Sequence, residues 1–245
     1  MARPREHLRN APIVEAVIDF RIVQQEQVSS ETFSDLGSYI GEQYTKTGSI
    51  QSIEARFGVI HGKPLGASQI QTDLGTRYQT ATEIAQFRVD GFTFSKIAPY
   101  TTWEEVSVEA FRLWKIYVEI AKPRWVSRVA VRYINQMRLP NVKNHGEYLT
   151  ASPQLPLPIP QMARDFLTRV NVYDDQRNAS AVIVQALEPR MDPNTISLLL
   201  DIDAFREVSL APDDSALPEI FGELRRLKND IFYASITDKT AEVYE

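Results

Sequence analysis

The chain has 245 residues, 43% apolar and 24% charged, with a formal net charge of −5. This fits one large globular unit or two small ones, and the acidic balance argues against a general nucleic-acid binder, which carries a basic domain. There is no cysteine, hence no disulfide, thiolate nucleophile or thiolate metal site, and no window holds the roughly 18 uninterrupted apolar residues of a membrane span.

The chain opens basic, "MARPREHLRNAPIVEAVIDF", but Glu15 and Asp19 break the apolar run that follows. It is not read as a signal peptide, and with the absence of cysteine this gives a cytoplasmic expectation. Residues 13–23 alternate: Val14, Ala16, Ile18, Phe20 and Ile22 against Glu15, Asp19 and Arg21. Period two predicts a strand with one dry and one charged face. Residues 28–48 follow with Ser30 as a cap, Phe33, Leu36, Tyr39, Ile40 and Tyr44 at three- and four-residue steps, and Gly48 after the end. That spacing predicts an amphipathic helix.

Three strand-like runs come next, "SIQSIEARFGVIHG", "TRYQTATEI" and "QFRVDGFTFSKI". "GKPLGASQIQTDLG" between the first two is loop-like in its Gly and Pro content, and the Asp-Gly of "VDGF" marks a hairpin or a bulge. Thr102 to Glu105 then fits a capping box, and Trp103, Val106, Ala110, Leu113, Trp114, Tyr117 and Ala121 recur at helical steps until Pro123.

After Pro123 the order restarts. "WVSRVAVRYINQMRL" is a strand, and "NHGEYLTASPQLPLPIPQMARD" is a Pro-dense connector, poorly ordered or briefly helical. "FLTRVNVYDD", "SAVIVQALEP" and "TISLLLDIDAF" are strands, separated by "DDQRN" and "PRMDPN". Leu217, Ile220, Phe221, Leu224, Leu227 and Ile231 stripe a final helix, with Asp213 and Asp214 before its positive end. The last stretch, "SITDKTAEVYE", loses periodicity and reads as a tail.

Element order therefore repeats. Phe20 and Tyr133 hold similar places in the two opening strands, as do Phe94 and Phe205 in the two closing strands. The expected fold is α+β: two β-α-β(3-4)-α pseudo-repeats, 1–123 and 124–237, packed as one unit with a tail at 238–245. They would make a curved antiparallel sheet with helices on one face, by element order nearest the saddle of the TATA-binding-protein class. That analogy carries no function.

Motifs with a mechanism are absent: no Gly-rich phosphate loop, G-x-S-x-G elbow, H-E-x-x-H or EF-hand loop. His7, His61 and His145 have no helical or strand spacing to one another, and neither a cofactor nor a metal is expected. Asp201 and Asp203 share a strand face and are weak metal candidates, with Asp174 as a further ligand in a metal-dependent phosphoesterase or nuclease reading. Glu15, Asp19, Arg21, Arg128, Arg132, Asn135 and Arg138 form the candidate binding surface: a cross-strand ion-pair ladder, or a mixed-charge recognition face. A nucleic-acid reading of the sheet would use Arg128, Arg132, Tyr133, Arg138 and Arg169 against the acidic total.

"LRNAPIVEAVIDFRI", "VRYINQMRLP" and the last helix running into "FYASIT" resemble a sporadically distributed bacterial family of about this length and of unassigned function. The resemblance spans 8–237 and supplies no catalytic residue, cofactor or substrate. Sporadic distribution implies an accessory gene of the toxin–antitoxin or phage-defence kind. The expectation is a non-enzymatic binding or regulatory protein with a protein partner or as a homodimer, away from membranes; nucleic acid is the less favoured partner.

Overall fold

A computed structural model describes residues 8–60, 63–142, 144–161, 163–188, 192 and 194–245. The architecture is α+β, built on one nine-stranded sheet in the order β2-β3-β4-β5-β1-β6-β9-β8-β7, every neighbouring pair antiparallel. The strands are β1 (Ile13–Gln24), β2 (Thr45–Ile60), β3 (Lys63–Gln79), β4 (Glu83–Arg88), β5 (Gly91–Ile97), β6 (Pro123–Pro140), β7 (Phe166–Asp174), β8 (Ala179–Leu187) and β9 (Thr195–Leu210).

The helix expected over 28–48 does not form. A 3-10 turn at Ser30–Phe33 and one helical turn, α1 (Gly37–Ile40), precede β2, which begins at Thr45. Gly37 and Gly41 disfavour a continuous helix, and Gly41 sits at φ +111°. Phe33, Leu36, Ile40 and Tyr44 still enter the core, whereas Tyr39 is exposed. The loop expected at "GKPLGASQIQTDLG" is also overturned. β3 runs through it from Lys63, paired with β2 across bulges at Leu65 and Leu74, so ladder pairing overrides the Gly and Pro cues. Gly75 is required there, because a Cβ would lie 2.0 Å from the Phe87 carbonyl oxygen. "TRYQTATEI" breaks into β3 and β4 at a turn whose Thr80 Oγ accepts the Thr82 and Glu83 amides. The Asp-Gly hairpin does form between β4 and β5, with Gly91 at φ +153° pressed against the Phe20 carbonyl.

The long helices follow their spacing. α2 (Trp103–Ala121) starts with Thr102 Oγ1 accepting the Glu105 amide at 3.2 Å. α3 (Leu217–Ser235) begins after Asp214, whose carboxylate accepts the Ala216 amide. Both pack on one face of the sheet. Phe20 of β1 stacks on Trp114 of α2 at 4.1 Å and meets Phe221 of α3 at 4.8 Å. One apolar cluster thus crosses the 123/124 boundary, and a second lies under the end of α3 around Met137, Leu198, Leu200 and Phe232.

The expected tail is a docked helix, α4 (Asp238–Tyr244). Thr240 is fully buried and donates to the Tyr148 carbonyl at 2.8 Å, and the Tyr244 hydroxyl donates to the Arg138 carbonyl at 3.2 Å. Phe94 and Phe205 are not equivalent. Phe94 is buried on the helix side opposite Ile18, whereas Phe205 lies on the other face under the Arg128 guanidinium. His7, His61 and most of "PRMDPN" fall outside the described residues.

Candidate functional site: the open face of the central strands

Alternation along β1 sends Ala16, Ile18, Phe20 and Ile22 into the helix-covered core, leaving Glu15, Val17, Asp19 and Arg21 on the opposite face. The register places Asp19 beside Ala130 and Thr93, and Arg132 between Val17 and Asp203. β5 adds Thr93 and Ser95, and β4 adds Gln86 and Arg88. Together these residues line a cavity of about 260 Å³ on the face without helices.

Its charges interlock. Asp19 accepts from Thr93 Oγ1 at 2.6 Å, Arg21 Nε at 3.2 Å and Arg88 Nη2 at 3.3 Å, with Arg128 Nη1 3.5 Å away. Asp90, at the β4–β5 turn, takes Arg88 Nε at 2.8 Å and also Arg21. Arg128 Nη2 reaches Asp203 at 2.9 Å, and Arg132 grips Asp201 through two hydrogen bonds of 2.8 and 2.6 Å. Arg21 and Arg128 are direct cross-strand neighbours, a repulsive placement relieved because both turn to Asp19.

Burial pushes the Asp203 carboxyl above its ordinary value, against the pull of Arg128. Burial would also raise Asp90, but hydrogen bonding from Arg88 and the charges of Arg88 and Arg21 hold it low. The hydrogen bonds to Asp201 strengthen the hold of Arg132 on its proton. Four arginines thus meet Asp19, Asp90, Asp201 and Asp203, with Glu15 beside Arg132. The face is close to neutral, with its Arg21 and Arg132 side chains 41% and 46% exposed.

Glu15, Asp19, Arg21, Arg128 and Arg132 of the expected surface are therefore together. Arg138 shares the face further along β6, exposed and near Glu188. Asn135 does not belong with them: it is 2% exposed on the helix side, its amide donating to the Leu200 carbonyl at 2.9 Å. Tyr133 is buried on that side too, and Arg169 lies on β7, the third strand out from β6, so neither joins the arginines in one stacking platform. Asp201 and Asp203 are held by arginines, while Asp174 caps the turn after β7 by accepting the Gln176 and Arg177 amides. The three carboxylates do not converge, and among the described residues no three His, Asp or Glu side chains group to hold a metal.

Arg88, Asp90 and Thr93 complete the network and were missed in sequence. Their signal was the alternation of "QFRVDGFTFS", where Gln86, Arg88, Thr93 and Ser95 oppose Phe87, Phe92 and Phe94. No family model matches the chain, and no curated protein matches it.

Proposed function

We propose that this protein is a non-enzymatic binding or regulatory component that recognises a partner through the open face of β1, β5, β6 and β9. The observation that carries the reading is the contrast between faces. One is covered by α2 and α3, whereas the other carries a salt-linked cavity with no helix over it among the described residues. Side chains locked by mutual hydrogen bonds lose little freedom on contact, so such a face suits recognition. Its near-neutral mixture of signs suits a protein surface that also carries both signs better than a polyanion.

The same reading takes the sheet as two pseudo-repeats joined in a saddle at the β1–β6 pair. At that pair Phe20 faces Val129 and Ala16 faces Tyr133, the reciprocal register that any antiparallel pair has and that two related halves would share. On this reading the counterpart of Phe94 would be Ala204, since Phe94 pairs with Ile18 and Ala204 with Val131. Membership of a cytoplasmic toxin–antitoxin or phage-defence module rests on the family resemblance alone. A homodimer is the second partner reading, favoured by the exposed edge strand β7.

The test is tagged capture from the native host with Glu15→Lys and Arg132→Glu variants, and with Lys115→Glu on the exposed face of α2 as control. A stoichiometric protein retained by wild type and the control, and lost by both face variants, is the expected result. A partner retained by all four proteins, or no stoichiometric partner at all, overturns the reading.

A further inference from the structure

On the helix-covered side, Arg225, Lys228, Asn229 and Phe232 follow one another at i, i+3, i+4 and i+7 along α3 and line one cavity. With Tyr100, Tyr133 and Asn135 they line a small cavity of about 70 Å³, closed on a further side by Leu8, Ala11 and Ile13. Lys228 is only 7% exposed, and its Nζ stands 3.6 Å from the centre of the Tyr133 ring. The ring face offers a cation about 0.5–2 kcal/mol, well short of what removing an ammonium from water costs. No acidic side chain among the described residues forms an ion pair with Lys228, and the neighbouring charge it feels is the repulsive one of Arg225. Arg225 itself reaches Glu104 at 3.7 Å on the rim, and the Tyr100 and Tyr133 hydroxyls are hydrogen-bonded to each other at 2.9 Å.

We propose that this cavity is a binding site for a small oxyanion, a carboxylate or phosphate group, held by Lys228 and Arg225, with the one O–H that the Tyr100–Tyr133 pair leaves free as a further donor. Two cationic side chains and a hydroxyl pair line one small space, and among the described residues no carboxylate pairs with the deeper cation. The volume is far below the roughly 300 Å³ of a drug-sized pocket, so the occupant is a small ion or the anionic end of a longer molecule. This site is separate from the open face and does not depend on the reading given to that face.

Burial, reinforced by Arg225, pushes the Lys228 amine down from 10.5 to about 7. An anion beside it favours the charged form, so binding takes up a proton and weakens as pH rises past neutrality. Among the described residues, the other charged or titratable groups facing the amine are Arg225 on α3, Tyr133 on β6 and Tyr100 before α2, with Glu104 behind Arg225. Burial keeps both tyrosines protonated beyond their ordinary range, so the amine is the group that titrates near neutral pH.

The test titrates the full chain with inorganic phosphate, and separately with acetate, at ionic strength fixed by sodium chloride, following resonances around Lys228 by NMR. Saturable shifts are expected, lost in Lys228→Met, and the affinity for acetate, whose charge is constant over this range, is expected to be at least about tenfold weaker at pH 8.5 than at pH 6. Lys228→Met removes a buried amine and keeps the bulk, and Arg225→Gln, on the rim, is the second variant, expected to weaken binding while leaving the fold intact. Saturation with only one of the two anions identifies the source of the oxyanion. Absence of saturation with both, or equal affinity in Lys228→Met, overturns the proposal.

Discussion

Asp19 shows what the open face requires of a single side chain. It is 8% exposed and is held by Thr93, Arg21, Arg88 and Arg128, so its charge is surrounded rather than solvated. Replacing it with asparagine leaves Arg88, itself 6% exposed, with Asp90 as its remaining acidic partner. Breaking a buried network in this way costs about 3 kcal/mol, and urea unfolding of Asp19→Asn is expected to read a loss of that order. Lys228 gives the opposite case. Its folded value near 7 lies below the 10.5 of the unfolded chain, so between them the unfolded state binds more protons and stability rises with pH. Unfolding followed from pH 7 to pH 9 is expected to show that rise in the wild type, and Lys228→Met is expected to lose most of it. Asp19, Arg21, Arg128 and Arg132 were legible because period two in a strand assigns faces outright. Lys228 left a fainter mark, a cation four residues after Leu224 and four before Phe232, inside the apolar stripe of α3.

Elements were legible where the local signal and the tertiary environment agree. α2 has both, a hydroxyl cap with a carboxylate three residues on and an unbroken apolar stripe, and it forms over the span its spacing predicts. Thr102→Ala removes the acceptor for the Glu105 amide and is expected to lower stability by about 1 kcal/mol in thermal or chemical unfolding. At 28–48 the same helical spacing misled. Phe33, Leu36, Ile40 and Tyr44 are buried as a helix would bury them, but two irregular turns deliver them, and Tyr44 is fixed by its hydroxyl to Glu83 and Glu109. Apolar spacing records which side chains go inside, and glycines at 37 and 41 decide by what path. The end of the chain misled in the other direction, because α4 has little amphipathic pattern and is held by single contacts. Deleting 238–245 removes the hydrogen bonds of Thr240 to Tyr148, of Tyr244 to Arg138 and of the Asn10 amide to the Tyr244 carbonyl, with the exposed Lys239–Glu147 ion pair. At about 1 kcal/mol for each hydrogen bond, the loss is expected to read as roughly 3 kcal/mol, with faster amide exchange around Tyr148 and Leu149.

At the scale of the molecule, the sequence carried the number and type of most elements but not the order of strands across the sheet, which depends on pairings more than a hundred residues apart such as Ala16 with Tyr133. That order leaves β2 and β7 as the edges. β7 is a lightly guarded edge: nine residues without lysine or proline, whose charges are Arg169 and the terminal Asp174, with Leu167, Val170, Val172 and Tyr173 exposed. Edge strands are commonly guarded by such residues, because their free amides and carbonyls template another strand. Antiparallel pairing with β7 of a second copy about Val170 would set Leu167 against Tyr173 and Arg169 against Asn171. Each pair has matching parity, so the open faces of both sheets stay on one side, and no like charges meet. A dimer joined this way would extend one recognition face into two. Val170→Lys places a guard at the centre of the strand while its backbone ladder to β8 is kept. Light scattering across a concentration series is expected to show dimer for the wild type and monomer for Val170→Lys, with melting temperatures close to each other. A wild-type chain that stays monomeric throughout, or a dimer indifferent to the substitution, would assign β7 no part in assembly.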